Sequence, residues 1–394
     1  MRYGSDTPWS YAPGPGGAKV SGRPTRATID LGAIRANFAE ARRRAEGREL
    51  MAVVKADAYG HGAIRVSQAL ADAGCRWFAL ASVAEGAELR DAGIREPILI
   101  LGGVFEAAES EAAVGLDLTP AVFHPRQVAL LAAAARDRAQ PLGVHVSVDT
   151  GMRRTGVSRE DALALLEVVA QTPALHLGGV FSHLARADEP DLTPSLEQLR
   201  ALGALLAQAR ERGLDPGLVH VVHSAGLLAG KPLIAALPEQ TAARPGVMLY
   251  GVPPAAHFDV ELRPAMTLAT QVVQLRSVKA GDPVGYGAEF RAPRDTRIAT
   301  LPIGYDDGVP VSAGGHGCVL IGGRRMPIAG RVSMDFITID VGDAPIEIGA
   351  DAIVFGGAQG DAALTVEEAA AAARTIPYEL LVRVGRRVQR QYEN

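Results

Sequence analysis

The sequence has little cysteine, few aromatics and no long apolar run. Cys75 and Cys318 are the only cysteines in 394 residues, too few for a disulfide framework. Cys75 lies beside an apolar stretch and is expected as a buried thiol. No segment has the length and apolarity of a membrane-spanning helix. The opening stretch, MRYGSDTPWSYAPGPGGAKVSGRP, lacks the apolar centre of a signal peptide. A reducing, cytoplasmic setting is the resulting expectation. Charge of one sign is also missing. The net charge is −4, which argues against a general affinity for nucleic acid or acidic membranes.

What is present is apolar residue in quantity, 48% of a chain long enough for two domains. Residues 1–24 are rich in Gly, Pro and Ser and read as a mobile tail. ATIDL, residues 27–31, alternates like a short strand, and Asp30 is placed to cap a helix over 33–46. Apolar strands are then expected at 50–54, 77–81, 98–101, 116–119, 143–148, 177–182, 218–222 and 247–250, separated by helical segments. Alternation of this kind predicts an α/β fold with a closed (β/α)8 TIM-like barrel over about 33–262. A doubly wound open sheet is the alternative. From 263 to 394 the texture changes to alternating apolar runs and frequent glycines, such as TRIATLPIG and DAIVFGG. This predicts a C-terminal, mainly antiparallel β domain. A last helical stretch is expected over 378–391, with Arg383, Arg386, Arg387 and Arg390 on a solvated or dimer-facing surface.

Chemistry concentrates just after the expected strand ends, where barrels place their functional groups. VVKADAYGHG, residues 53–62, puts Lys55 at the end of the first strand, with Tyr59 four residues on. Partial desolvation there favours the neutral amine, a nucleophile and a base. Arg154 follows the fifth strand, His183 closes the sixth, and His223 and Ser224 close the seventh. Arg244 and Gly246 precede the expected eighth. The last two loops are common phosphate sites in barrels, and Ser224 and Gly246 offer a hydroxyl and an unobstructed N–H. Singly, a snorkelling lysine, a core histidine or a turn glycine explains each residue.

The set as a whole resembles the alanine racemases. KADAYGHG, DTGM-x-R, F-S-H, H-S-A, RPGVMLYG, Y-G-A, P-I-G-Y, AGRVSMD and P-Y-E occur in the order found in that family, from about Thr25 onward. The resemblance implies a barrel plus a β domain, with residues 25–32 as a strand joining the second domain. It implies a homodimer with shared active sites, an amino-acid substrate and the cofactor pyridoxal 5'-phosphate, held covalently by Lys55. Lys55 and Tyr286 are then the catalytic bases on opposite faces, Tyr286 coming from the partner subunit. Tyr59, Ser224, Tyr378 and the N–H groups of Gly246 and Val247 are implied at the phosphate. His183 is implied against the pyridine ring, and Arg154 at both the cofactor and the substrate carboxylate. Met334 of the partner meets that carboxylate, and Tyr305 lines the entrance. Arg244 facing the pyridine nitrogen leaves that nitrogen unprotonated, because arginine holds its proton. The implied activity interconverts L- and D-alanine and supplies D-alanine for peptidoglycan.

Departures from the family pattern bear on substrate choice. Ser147 stands where a lysine, carbamylated in many members, balances the arginine assigned to Arg154. A bound anion or another side chain is expected to take over that balance. His223 stands where Asn is common, Asp306 where Ala is usual, and Val311 where an arginine is frequent. A broad-specificity, serine, lysine or arginine racemase is therefore the first alternative. A pyridoxal-phosphate decarboxylase and a non-catalytic cofactor-binding protein are weaker ones.

Overall fold

The computed structural model describes residues 22–394. Most of the expected tail, residues 1–21, lies outside the described residues. Its last positions are anchored: Arg23 pairs with Asp307 at 3.3 Å, and Thr25 is buried against Thr270. β1 (Arg26–Asp30) leads into helix Leu31–Arg44, capped by the Asp30 carboxylate on the Ala33 N–H at 2.8 Å.

Eight parallel strands then close into a barrel: β2 (Glu49–Val53), β3 (Trp77–Leu80), β4 (Ile98–Ile100), β5 (Thr119–Val122), β6 (Leu142–Ser147), β7 (Leu175–Phe181), β8 (Leu218–His223) and β9 (Ala242–Arg244). β2 pairs with both β3 and β9, which completes the ring. Alternation within β2 shows how the barrel is filled. Leu50 and Ala52 pack outward under the helices, while Met51 and Val53 join Ala79, Leu99 and Ala242 inside.

Two strands differ from the reading of the sequence. The fourth was expected at 116–119 and lies at Thr119–Val122. Leu116 instead ends a helix, Asp117 takes a left-handed turn (φ 49°), and Pro120 disguises the strand. The eighth was expected at 247–250 and lies at Ala242–Arg244. Val247–Tyr250 is a buried 3-10 turn. Its apolarity reflects burial beneath helix Leu31–Arg44, not strand formation. Arg244 thus belongs to the last strand itself.

The C-terminal part is built on a six-stranded sheet and a three-stranded one. In the larger sheet β1 lies between Met266–Gln271, antiparallel, and Gln389–Glu393, parallel. The helix expected over 378–391 stops at Val382, and the chain then turns to make that last strand. Gly385 lets the chain pass close to residue 306 there: a Cβ would sit 2.1 Å from the Asp306 carbonyl oxygen. Two of the four arginines are consequently structural. Arg390 donates to the carbonyls of Gly60, Val384, Gly385 and Val388, and Arg387 pairs with Asp306, Asp307 and Asp335.

The segment after β2 is unusual. Ala56, Asp57, Ala58 and Tyr59 all have φ between 52° and 54°, a left-handed turn made without glycine. Each such residue costs about 1–2 kcal/mol. Gly60 (φ 81°) closes the turn against helix Pro377–Val382, where a Cβ would lie 2.1 Å from the Leu381 carbonyl oxygen. Gly60→Ala is expected to destabilise the protein by about 2–4 kcal/mol, read as an earlier thermal unfolding onset. An unchanged onset would show that the two segments are not locked together.

Candidate active site

A cavity of about 350 Å³ opens at the carboxyl ends of the barrel strands. Lys55, at the end of β2, points its chemistry here. Its ammonium is disfavoured first by burial and then by Arg154 and Arg244, with Glu85 opposing. The amine is therefore easier to deprotonate than a free lysine. The turn that follows Lys55 is held by Glu85, which accepts from the Ala56 N–H (2.7 Å) and the Ala81 N–H (2.8 Å), and by Asp57, which accepts from the Ala63 N–H at 2.7 Å.

One wall is a cradle of hydroxyls and backbone. Ser224 Oγ accepts from the N–H groups of Gly246 (2.8 Å) and Met248 (3.3 Å). A Cβ on Gly246 would come within 2.8 Å of the Tyr59 hydroxyl, so only glycine leaves the cradle open. Tyr59 packs against Tyr250 at 4.8 Å and Tyr378 at 6.4 Å between ring centroids. Burial raises the pKa of both Tyr59 and Tyr378, the latter to about 12, so both stay protonated donors. Val247 completes this wall.

The floor is Arg244, 3% exposed. Its guanidinium donates to the carbonyls of Ser182 (2.6 Å), His220 (2.6 Å) and Val221 (3.2 Å), and to His220 Nδ1. Among the described residues no carboxylate pairs with it. Since His220 Nδ1 accepts from Arg244, its Nε2–H donates to His145 Nδ1 at 2.7 Å. Burial and Arg244 push both histidines towards the neutral form. Gly179 makes room for this chain, since a Cβ there would lie 2.6 Å from His145 Nδ1. The sequence reading missed His145 and His220. The available signal was a histidine inside each of two apolar strands, GVHVS and LVHVVH.

His183 stacks on His223 with centroids 4.6 Å apart. His223 Nε2 donates to the Leu184 carbonyl at 3.1 Å, so its Nδ1 accepts the Ala225 N–H at 3.3 Å and caps helix Ser224–Ala229. Burial lowers its pKa to about 4, and lowers that of His183 further. Ser147 and Arg154 line the same cavity. Thus Lys55, Tyr59, Arg154, His183, Ser224, Arg244, Gly246, Val247 and Tyr378 all meet around one space. Tyr286, Tyr305 and Met334 do not line it. They are 71%, 44% and 51% exposed on the C-terminal part of this chain. Gly285 (φ 75°) and Gly287 (φ 70°) flank Tyr286. Asp306 lies 3.0 Å from Arg387, which also pairs with Asp307 and Asp335.

The donor set fits a phosphorylated carbonyl cofactor. Lys55, Arg154 and Arg244 face a single lining carboxylate, Asp149, which accepts from the Gly151 and Arg153 N–H groups. The surplus positive charge, the hydroxyl cradle and the easily deprotonated amine suit a phosphate dianion and an aldehyde together. Fold and site define a barrel enzyme with an added β domain, of the kind that carries a cofactor on a lysine. The description "alanine racemase, N-terminal domain" matches residues 29–254, and "alanine racemase, C-terminal domain" matches residues 265–392. An alanine racemase of Syntrophobacter fumaroxidans is 41% identical, over 93% of this chain and 96% of the relative. The crystal structure of alanine racemase from D-cycloserine-producing Streptomyces lavendulae superposes with a TM-score of 0.88 at 35% identity, over 94% of this chain and 97% of that one. That from Bartonella henselae, with covalently bound pyridoxal phosphate, gives 0.84 at 30%, over 94% and 99%. The chain belongs to the alanine racemase family, isomerases of amino acids that depend on pyridoxal phosphate.

Arg154 should tune the lysine. Arg154→Ala removes a like charge, so the Lys55 pKa rises. In cofactor-free protein the pH midpoint for acylation of Lys55 is expected to move upward. A midpoint that stays or falls would exclude this coupling.

Proposed function

We propose that this chain racemises alanine by a two-base exchange between its own Lys55 and the Tyr286 of a second copy. The observation that carries the reading is a split in the expected site. The cofactor-side residues line one cavity, whereas Tyr286, Tyr305 and Met334 stand exposed on the other part of the same chain. A C2 dimer brings each cavity against the exposed set of its partner. Phe336 and Val311, 46% and 57% exposed, extend that apolar face.

Lys55 would hold pyridoxal phosphate, with Tyr59, Ser224, Tyr378, Gly246 and Val247 at its phosphate and His183 against its ring. When bound, this group supplies an electron-withdrawing conjugated ring that makes the substrate Cα–H acidic. The rest falls to the protein. Lys55, deprotonated more easily because it is buried beside Arg154 and Arg244, takes the Cα proton on one face. The second copy's Tyr286 gives a proton on the other, and the reverse reaction exchanges their roles. Arg154 and the second copy's Met334 backbone hold the substrate carboxylate, while the second copy's Tyr305 borders the entrance.

Arg244 bears on the choice of reaction. Its guanidinium is held by carbonyls and a neutral histidine, with no carboxylate partner among the described residues. It leaves the cofactor ring a weaker electron sink than an acid would, which favours proton return to Cα over decarboxylation or transamination. D-Alanine made in the cytoplasm then serves peptidoglycan synthesis.

Purified holoenzyme in deuterium oxide is expected to exchange the Cα–H of alanine faster than that of serine, lysine or arginine, with formation of the D-isomer. Faster exchange with another of these substrates would reassign the specificity. Lys55→Ala and Tyr286→Phe chains, each inactive alone, are expected to recover activity when mixed, approaching about a quarter of wild-type sites under random pairing. Silent heterodimers would reject the shared site.

A further inference from the structure

Three segments meet beside the exposed set: residues 302–307, residues 333–336 and the beginning of the described chain. The first two are knit by backbone. Tyr305 N–H donates to the Ser333 carbonyl at 3.0 Å, and Asp306 N–H to the Met334 carbonyl at 3.3 Å. Gly304 allows this approach, because a Cβ there would lie 2.2 Å from Ser333 O and 2.3 Å from Met334 O. Beneath them Asp307, 1% exposed, accepts from Gly304 N–H (2.8 Å) and from Arg387 Nε (2.7 Å) and Nη2 (3.1 Å). Arg387 also donates to the Met334 carbonyl at 3.1 Å.

Arg23 completes the cluster. It donates to Asp307 Oδ1 at 3.3 Å, to the Pro302 carbonyl at 2.5 Å and to the Asp335 carbonyl at 2.5 Å. Its guanidinium lies 6.0 Å from the centre of the Phe336 ring. One planar fork thus touches both segments and the acid beneath them. The fold does not depend on it to neutralise Asp307, since Arg387 already does so. What Arg23 adds is a fixed spacing between Pro302, next to the Tyr305 segment, and Asp335, next to Met334.

We infer that Arg23 is a positioning residue for substrate binding in the opposite subunit. It holds Tyr305 and the Met334 backbone where the second copy's cavity meets them. The inference rests on the shared-site reading above and adds to it a residue near the amino terminus. Lysine cannot reproduce the contacts, because a single ammonium replaces the rigid fork.

The test measures KM and kcat for L-alanine in holoenzyme. Loss of a carboxylate contact present in both ground and transition states raises KM and spares kcat. Arg23→Ala is expected to raise KM roughly tenfold with kcat within about twofold, and Arg23→Lys to fall between. The decisive arm uses heterodimers of Lys55→Ala and Tyr286→Phe chains, isolated through two different tags. Their working site takes Lys55 from the Tyr286→Phe chain and Tyr286, Tyr305 and Met334 from the Lys55→Ala chain. Arg23→Ala placed on the Lys55→Ala chain is expected to raise KM, and placed on the Tyr286→Phe chain to leave it unchanged. Equal effects from both placements, an unmoved KM, or a fall in kcat alone would overturn the inference while leaving the shared site standing. Heterodimers silent before Arg23 is altered would remove the shared site, and this inference with it.

Discussion

The left-handed turn at 56–59 is the constraint on which the site depends. Four consecutive residues with side chains occupy a region that disfavours L-amino acids by about 1–2 kcal/mol each. Such a turn persists only if its surroundings over-determine it. Glu85 holds its first N–H, Asp57 ties it to helix Ala63–Asp72, the His61 ring bonds the Ala58 and Tyr59 carbonyls, and Arg390 holds Gly60. Of these anchors Glu85 comes from the next barrel unit and Arg390 from the C-terminal strand. The barrel and the far end of the chain therefore both act on where Lys55 and Tyr59 point. A right-handed turn would send the tyrosine away from Gly246, and the cradle would lose a wall.

Electrostatics then act within a geometry already fixed. Arg244 sits where a charge is hard to keep, and burial pushes its pKa down to about 9. It remains cationic at neutral pH because carbonyl oxygens at the ends of β7 and β8 solvate it in place of water. The histidine chain behind it adds acceptor capacity without adding a charge. An acid in that position would neutralise the guanidinium and cut the positive surplus of the cavity. Burial first, and then the same surplus, disfavour the charged forms of Lys55 and His183. One buried cation thereby adds to the positive charge of the cavity, to the neutral-amine fraction of Lys55 and to the neutrality of His183.

Much of this was legible in the sequence. Barrel strands with β-branched, apolar runs, such as GVHVS and LVHVVH, announce themselves by burial on both faces. The glycine between Arg244 and Val247 and the lysine after β2 mark close backbone approaches and strand ends. Where the reading failed, a local rule was overruled by tertiary contact. Ala242–Arg244 is too short and too plain to read as a strand, and is one only because β2 and β8 flank it. Val247–Tyr250 looks like a strand because it is buried. The 378–391 stretch has helical composition but ends as a strand because β1 offers it an open edge. The left-handed turn has no sequence signal at all, since KADAY contains no glycine until Gly60. The roles proposed for Tyr286, Tyr305 and Met334 rest on resemblance alone, because no property of one chain says which cavity an exposed residue serves.

The two-part architecture bears on how the exposed residues of the proposed shared site are held. In the proposed reaction a proton donor on the second face must reach a point opposite Lys55, and Tyr286 stands outside this chain's own cavity. Placing it on a separate sheet solves the geometry but leaves the donor on loops at the sheet's edge, where backbone order is usually lowest. The structure counters this with backbone locking. Gly304, Gly314 and Gly330 each leave contacts with main-chain atoms too close for a Cβ to be added without a shift. Arg331 pairs with Glu289 beside Tyr286 at 2.5 Å, and the Arg23, Arg387 and Asp307 cluster holds the Tyr305 and Met334 segments. Exposure is thus combined with close backbone packing and ion pairing, as the proposed shared site would require. In the proposed dimer the entropy of ordering these loops would be met within each chain by its own packing, before two prepared surfaces come together.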